Sequence, residues 1–210
     1  MAGYAPGFPA LAFGPGRGKL IKAGSDIIFQ LHYTTNGHPK EDITRIGLVF
    51  IKPEEVKERV ATVWILNGDF AIPPQDPDYR VDSAVEFANA AKIVFLNPHM
   101  HLRGKDFRYT AIYTTGESQI LLDVPHYTFH WQTGYIPAQD IVVPKGTKIQ
   151  CVADFDNSPN NPLNPDPSKE IKWGDQSWDE MMIGFAEVAM DKNLDLEKLA
   201  ATERRAGKNI

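Results

Sequence analysis

The chain has 210 residues, with 22 Lys and Arg against 27 Asp and Glu, a formal net charge of -5, and 42% hydrophobic residues. That balance is globular and offers no basic field, which excludes nucleic acid or an anionic membrane surface as the main partner. No apolar run approaches the ~18 residues of a membrane span, and the single cysteine, Cys151, allows no internal disulfide.

With 16 Pro and 16 Gly, the expectation is many turns between short strands, an all-β fold. Residues 1–19 are too rich in Gly and Pro for regular structure and read as an extended lead-in. Residues 26–34 carry a strand pattern, the Asn36-Gly37 turn signal follows, and a second strand is expected over residues 43–51, paired with the first. His32 shares a strand face with Ile28 and Gln30, the position of an ordinary core-edge histidine.

Residues 53–59 suit a short charged helix or an exposed bridge. A strand is expected at 61–66, a turn at 67–69, a loop at 72–78 and a half-buried strand over 79–87. The run Ile93-Val-Phe-Leu96 leads into Asn97-Pro-His-Met-His-Leu-Arg-Gly-Lys105. On a strand, His99 and His101 project to the same side, and two neutral imidazoles so placed can share one metal ion. The spacing alone does not select the metal.

Residues 107–115 and 119–124 form a predicted hairpin around Gly116. His126 and His130 follow in a Tyr-, Phe- and Trp-rich run. Four strand steps hold those two ~13 Å apart, too far for one ion at ~3.3 Å per residue. Residues 141–154 read as strand, turn and strand, and 156–167 as a long loop in which Asp154, Asp156 and Asn157 lack a regular calcium-binding spacing. If residues 179–186 are extended, Asp179, Met181, Ile183 and Phe185 share one face and Glu180, Met182 and Gly184 the other. Residues 195–205 suggest a short C-terminal helix capped by Asp195.

His-x-His-Leu at 99–102, His126-Tyr127, a Pro-x-Gly turn into a strand bearing Cys151, and Asp179-Glu-Met181 occur in this order in the copper type II, ascorbate-dependent monooxygenases, the family of dopamine beta-monooxygenase and the peptidylglycine hydroxylating enzyme. The chain resembles their second domain over about residues 20–186. The resemblance implies an antiparallel jelly-roll-like β-sandwich over 53–188, with a helical tail over 189–210 and residues 1–52 as the last strands of a preceding domain in a longer polypeptide. It implies an oxygen-activating copper on His99, His101 and Met181, and a second copper for which His32 is one ligand. A thioether beside two imidazoles suits Cu(I). Ascorbate or another donor, O2 and a small-molecule substrate complete the expected chemistry, the hydroxylation of a C–H bond.

Several departures accompany the resemblance. The adjacent His-His pair that completes the second copper site in the family is absent from this sequence, and Met182 stands where the animal enzymes have the disulfide partner of the Cys151 equivalent. Phe185 occupies an aromatic substrate-side position without a hydroxyl, and His126 matches a segment near the site. Asn97 replaces the arginine that holds a peptide carboxylate, so peptide amidation is not supported. The family implies a soluble, secreted or periplasmic location, although no signal segment opens the sequence as given. Two other readings stand beside this one: a non-catalytic copper-binding or electron-transfer module of a larger protein, and a cupin-like site. The cupin pattern finds only approximate substitutes in Asp106 and His126 and leaves Asp-Glu-Met unexplained.

Overall fold

A computed structural model describes residues 3–5, 8, 10–33 and 35–202. It is predominantly β, and among the described residues the helical elements are two three-residue 3-10 turns, Pro53–Glu55 and Leu196–Lys198. No described helix is long and apolar enough to cross a membrane.

The strands are β1 (Arg17–Gly18), β2 (Glu58–Leu66), β3 (Ala71–Ile72), β4 (Tyr79–Phe87), β5 (Ala91–His99), β6 (Gly104–Ile112), β7 (Ser118–Val124), β8 (Ile141–Val143), β9 (Lys148–Phe155), β10 (Ile171–Lys172), β11 (Ile183–Asp191) and β12 (Ala200–Thr202). One sheet has the order β1-β2-β11-β5-β8 and the other β12-β4-β9-β6-β7, with β3 and β10 forming a separate pair. Every pairing is antiparallel except β1 with β2.

The two large sheets share one apolar core. Ile65, Ile93, Leu96, Ala186 and Val188 from the first meet Val81, Val85, Phe107, Tyr109, Ile149 and Cys151 from the second. Strand β4 alternates burial as a strand with one face inward should, burying Val81, Val85 and Phe87. Strand β5 is buried on both faces. Its outer face and edge are covered by residues 133–135: Tyr135 exchanges backbone hydrogen bonds with Leu96 at 2.8 and 2.9 Å, and Gly134 lies against the Phe95 ring so closely that no side chain fits.

Three expectations require correction. Residues 26–34 and 43–51 form no strands among the described residues, and Ile28, Tyr33, Ile43, Val49 and Phe50 are exposed. The apolar alternation is present there, but a strand forms only when another strand accepts its backbone hydrogen bonds, and none lies alongside. The helical tail is also absent. Strand β11 runs on to Asp191, and after the 3-10 turn the chain adds β12 to the edge of β4, because Leu199 is buried and holds this segment against the core. Residues 203–210 of the expected helix lie outside the described residues. Finally, residues 179–182 precede the β11 ladder, which begins at Ile183.

Residues 141–154 do form strand, turn and strand, but not a hairpin. Strand β8 joins the first sheet and β9 the second, so the Pro144-to-Thr147 turn carries the chain across the layers.

Candidate metal centre

Strand β5 ends at His99, which pairs in register with Ile183, the first residue of β11. The chains leaving these two positions, residues 100–103 and 179–182, therefore emerge side by side at one end of the first sheet. His99 and His101 bring their rings to 5.3 Å between centroids, nearly perpendicular at 85°. Phe185 lies 6.3 Å from the His99 ring, Phe129 6.0 Å from the His101 ring, and Trp64 stands edge-on to Phe185 at 5.1 Å.

Both imidazoles are tied by the same nitrogen. His99 Nδ1 is 2.7 Å from Gln132 Oε1, and Gln132 Nε2 donates to the Phe129 carbonyl at 3.0 Å, which orients the amide with its oxygen toward the histidine. His101 Nδ1 is 3.2 Å from the Asp179 carbonyl. A carbonyl and an amide oxygen only accept, so Nδ1 is the donor in both contacts; the Gln176 carbonyl is a second acceptor for the His101 ring. Burial pushes His99 down to about 4 and lowers His101 as well, so both rings are neutral near pH 7.

Gln132 reaches His99 because the covering segment is pinned along β5: Tyr135 pairs with Leu96, and the Thr133 carbonyl accepts from Asn97 Nδ2 at 3.0 Å. Asn97 is thus buried and turned to the backbone. The Tyr127 hydroxyl donates to the Met100 carbonyl at 2.6 Å and accepts from the Met100 N–H at 3.0 Å, fixing the residue between the two histidines.

Glu180 is the other organiser. Its fully buried carboxylate accepts from the N–H of His101 at 2.8 Å and of Arg103 at 2.6 Å, with the Met181 N–H at 3.3 Å. Burial pushes this carboxyl up to about 8, opposed by these donors and by the Arg103 charge. Arg103 is itself fully buried, with Nε donating to Asn157 Oδ1 at 2.9 Å and Nη1 to the Trp178 carbonyl at 2.8 Å. Asn157 spends its amide nitrogen on the Pro73 and Lys169 carbonyls, so its role in the 156–167 loop is structural.

Met181 is partly buried, whereas Met182 is fully buried in the core that also holds Cys151. His126 is exposed, beside a cavity of about 70 Å³ that Gln132 and Tyr127 also line. His130 is exposed and contacts Phe129. His32 is exposed on the 25–33 stretch, which forms no strand. Among the described residues no three or more His, Cys, Asp or Glu gather as a metal-binding group.

Gln132, Tyr127, Glu180 and Arg103 belong to the site without having been singled out for it by pattern. The adjacent Glu180-Met181 pair and His126-Tyr127 carried their only signal, as parts of quoted motifs.

No family model matches the chain, and no curated protein matches it. Among solved structures, that of infectious bursal disease virus Gx strain is similar at a TM-score of 0.29 with 15% identity, over 76% of this chain and 42% of that one. A likeness that weak carries no argument about fold or function.

Proposed function

We propose that this chain is the oxygen-activating copper portion of a copper-dependent monooxygenase that hydroxylates a C–H bond, built on a jelly-roll-like antiparallel sandwich. The observation that carries the reading is that His99 and His101, with their rings in contact, each hold Nδ1 against an oxygen acceptor. Metal-ligating histidines hold their second nitrogen on a protein acceptor, which fixes ring orientation and raises basicity, and here two rings in contact do so through Gln132 and Asp179.

The donor set fits a soft cation. His99 and His101 would hold it through Nε2 and Met181 through its thioether, a combination that favours Cu(I) over harder metals. Copper, when bound, supplies one-electron chemistry toward O2. The chain's own residues do the rest: Gln132 and the Asp179 carbonyl keep both Nδ1 protons in place, while Phe129 and Phe185 present apolar rings beside the imidazoles. Phe185, which lacks a hydroxyl, forms a substrate-side wall. Asn97, engaged by Thr133, has its amide committed to the fold. Ascorbate or another donor supplies electrons, and the substrate is a small molecule.

A non-catalytic copper-binding or electron-transfer module of a larger protein is the second reading. It is favoured by the position of His32 on an unpaired segment, with no group of three metal-binding side chains around it among the described residues. A second copper would then need donors from a redox partner or from the rest of a longer polypeptide. The family resemblance implies a secreted or periplasmic setting for either protein.

Anaerobic Cu(I) binding tests the reading. X-ray absorption of the loaded protein should show sulfur and imidazole scatterers, the sulfur lost in Met181→Ala and the imidazoles in His99→Ala/His101→Ala. Weak binding indifferent to Met181 overturns it.

A further inference from the structure

We infer that Glu180 is a positioning residue for this centre, a buried carboxylate that locks the loop carrying His101 to the segment carrying Met181. The inference rests on the reading of His99, His101 and Met181 as ligands.

Residues 101 and 180 are separated by 79 positions in sequence, and two short bonds of one carboxylate join their segments. Oε2 takes the His101 N–H and Oε1 the Arg103 N–H, so the carboxylate spans the turn that follows His101. The preceding residue, Asp179, offers its carbonyl to His101 Nδ1, and the following one is Met181. Three consecutive residues thus orient the ring, hold its backbone and supply the third donor. The far side of this segment is held too. Glu180 N donates to the Lys172 carbonyl and Gly174 N to the Glu180 carbonyl, both at 3.2 Å. Gly174 packs so tightly on Asp179 that no side chain fits there.

A fully buried carboxyl group is a costly way to fill space, since an apolar side chain of similar volume avoids desolvating two polar oxygens. What it adds is geometry: two acceptor oxygens at fixed separation, which no apolar residue provides. Glutamine is the informative substitution, because its amide keeps one acceptor and turns an N–H2 toward the other N–H donor.

The test compares wild type with Glu180→Gln. Ring-nitrogen NMR of the metal-free protein reads the His101 tautomer, and competition with a chromophoric chelator reads Cu(I) affinity. The expected result is a single Nδ1–H tautomer in wild type, a mixture in Glu180→Gln, and a Cu(I) affinity lowered roughly 10- to 100-fold. A variant that loses thermal stability but keeps the tautomer and the affinity overturns the inference while leaving the ligand assignment intact. Wild type that fails to bind Cu(I) overturns the ligand assignment and this inference with it. If Glu180→Gln does not fold, Glu180→Asp serves, being one methylene too short to reach both N–H groups. Unchanged affinity and tautomer in that variant are equally decisive against the role.

Discussion

Gly184 faces the Cys151 thiol across the two sheets with no room for a methyl group between them: an added Cβ would collide with Sγ and come within 3.0 Å of the Tyr109 ring. The sheets therefore approach closely at Gly184, next to Ile183, where β11 meets His99. Gly184→Ala should destabilise the fold by about 1–3 kcal/mol, the usual range for overpacking a core. Cys151→Ala in the same chain should recover part of that loss but not all, since Tyr109 still crowds the site. Chemical denaturation of the two single variants and the double variant measures the coupling. Additive effects would mean that the close contact is not felt in solution.

Gln132→Leu keeps the size of the side chain and removes the acceptor for His99 Nδ1. The ring then loses that partner, and Cu(I) affinity should fall roughly 10- to 100-fold, against a stability change of about 1–3 kcal/mol for the two lost hydrogen bonds, to His99 and to the Phe129 carbonyl. Competition for Cu(I) and thermal unfolding separate the two effects. Equal affinity in the variant would show that Gln132 is packing only.

Arg103→Met removes a fully buried guanidinium that donates to Asn157 Oδ1 and to the Trp178 carbonyl; Asn157 Oδ1 keeps Asn164 as a donor, whereas the Trp178 carbonyl loses the one Arg103 supplied. Leaving a buried acceptor without its donor commonly costs about 1–3 kcal/mol. A loss on that scale is expected by urea denaturation. A near-neutral result would mean that solvent enters to satisfy the Trp178 carbonyl once the guanidinium is gone.

The pattern of the sequence was legible where a residue's role follows from its own strand. Strand β4 was expected at residues 79–87, the bounds observed, and the β6–β7 hairpin follows from period-two alternation. His99 and His101 were legible as a pair, although β5 ends at His99 and it is the chain beyond the strand that brings the two rings to 5.3 Å. Gln132 and Glu180 were not, because each acts on a histidine 33 or more residues away and becomes meaningful only when β5, β11 and the covering segment meet. Residues 26–34 and 43–51 show the opposite limit: their alternation is as good as that of β4, but pairing depends on a neighbouring strand that local pattern does not specify. The tail failed in a third way, since the burial of Leu199 and the open edge of β4 outweigh helix propensity.

A cross-strand row outside the metal centre yields the pH prediction. Arg80, Asp154 and Asp106 stand opposite one another on β4, β9 and β6. Arg80 holds both oxygens of Asp154 at 2.8 Å and keeps that carboxyl below its usual range. Burial, and then the neighbouring Asp154, push Asp106 up to about 6, so the proton of the pair resides on Asp106 and is donated to Asp154. The folded chain then binds this proton more tightly than the unfolded chain, whose aspartates titrate near ~3.9. The resulting contribution to stability is full below that value and is lost as pH rises to about 6. Asp106→Asn donates to Asp154 at every pH and carries no charge to repel it. Asp106→Asn should therefore be more stable than wild type at about pH 7.5, by ~1 kcal/mol or less because the group is partly exposed, and the gap should narrow toward about pH 5. Paired thermal melts across that range give the answer. A difference independent of pH would show that the two aspartates do not share a proton in the folded protein.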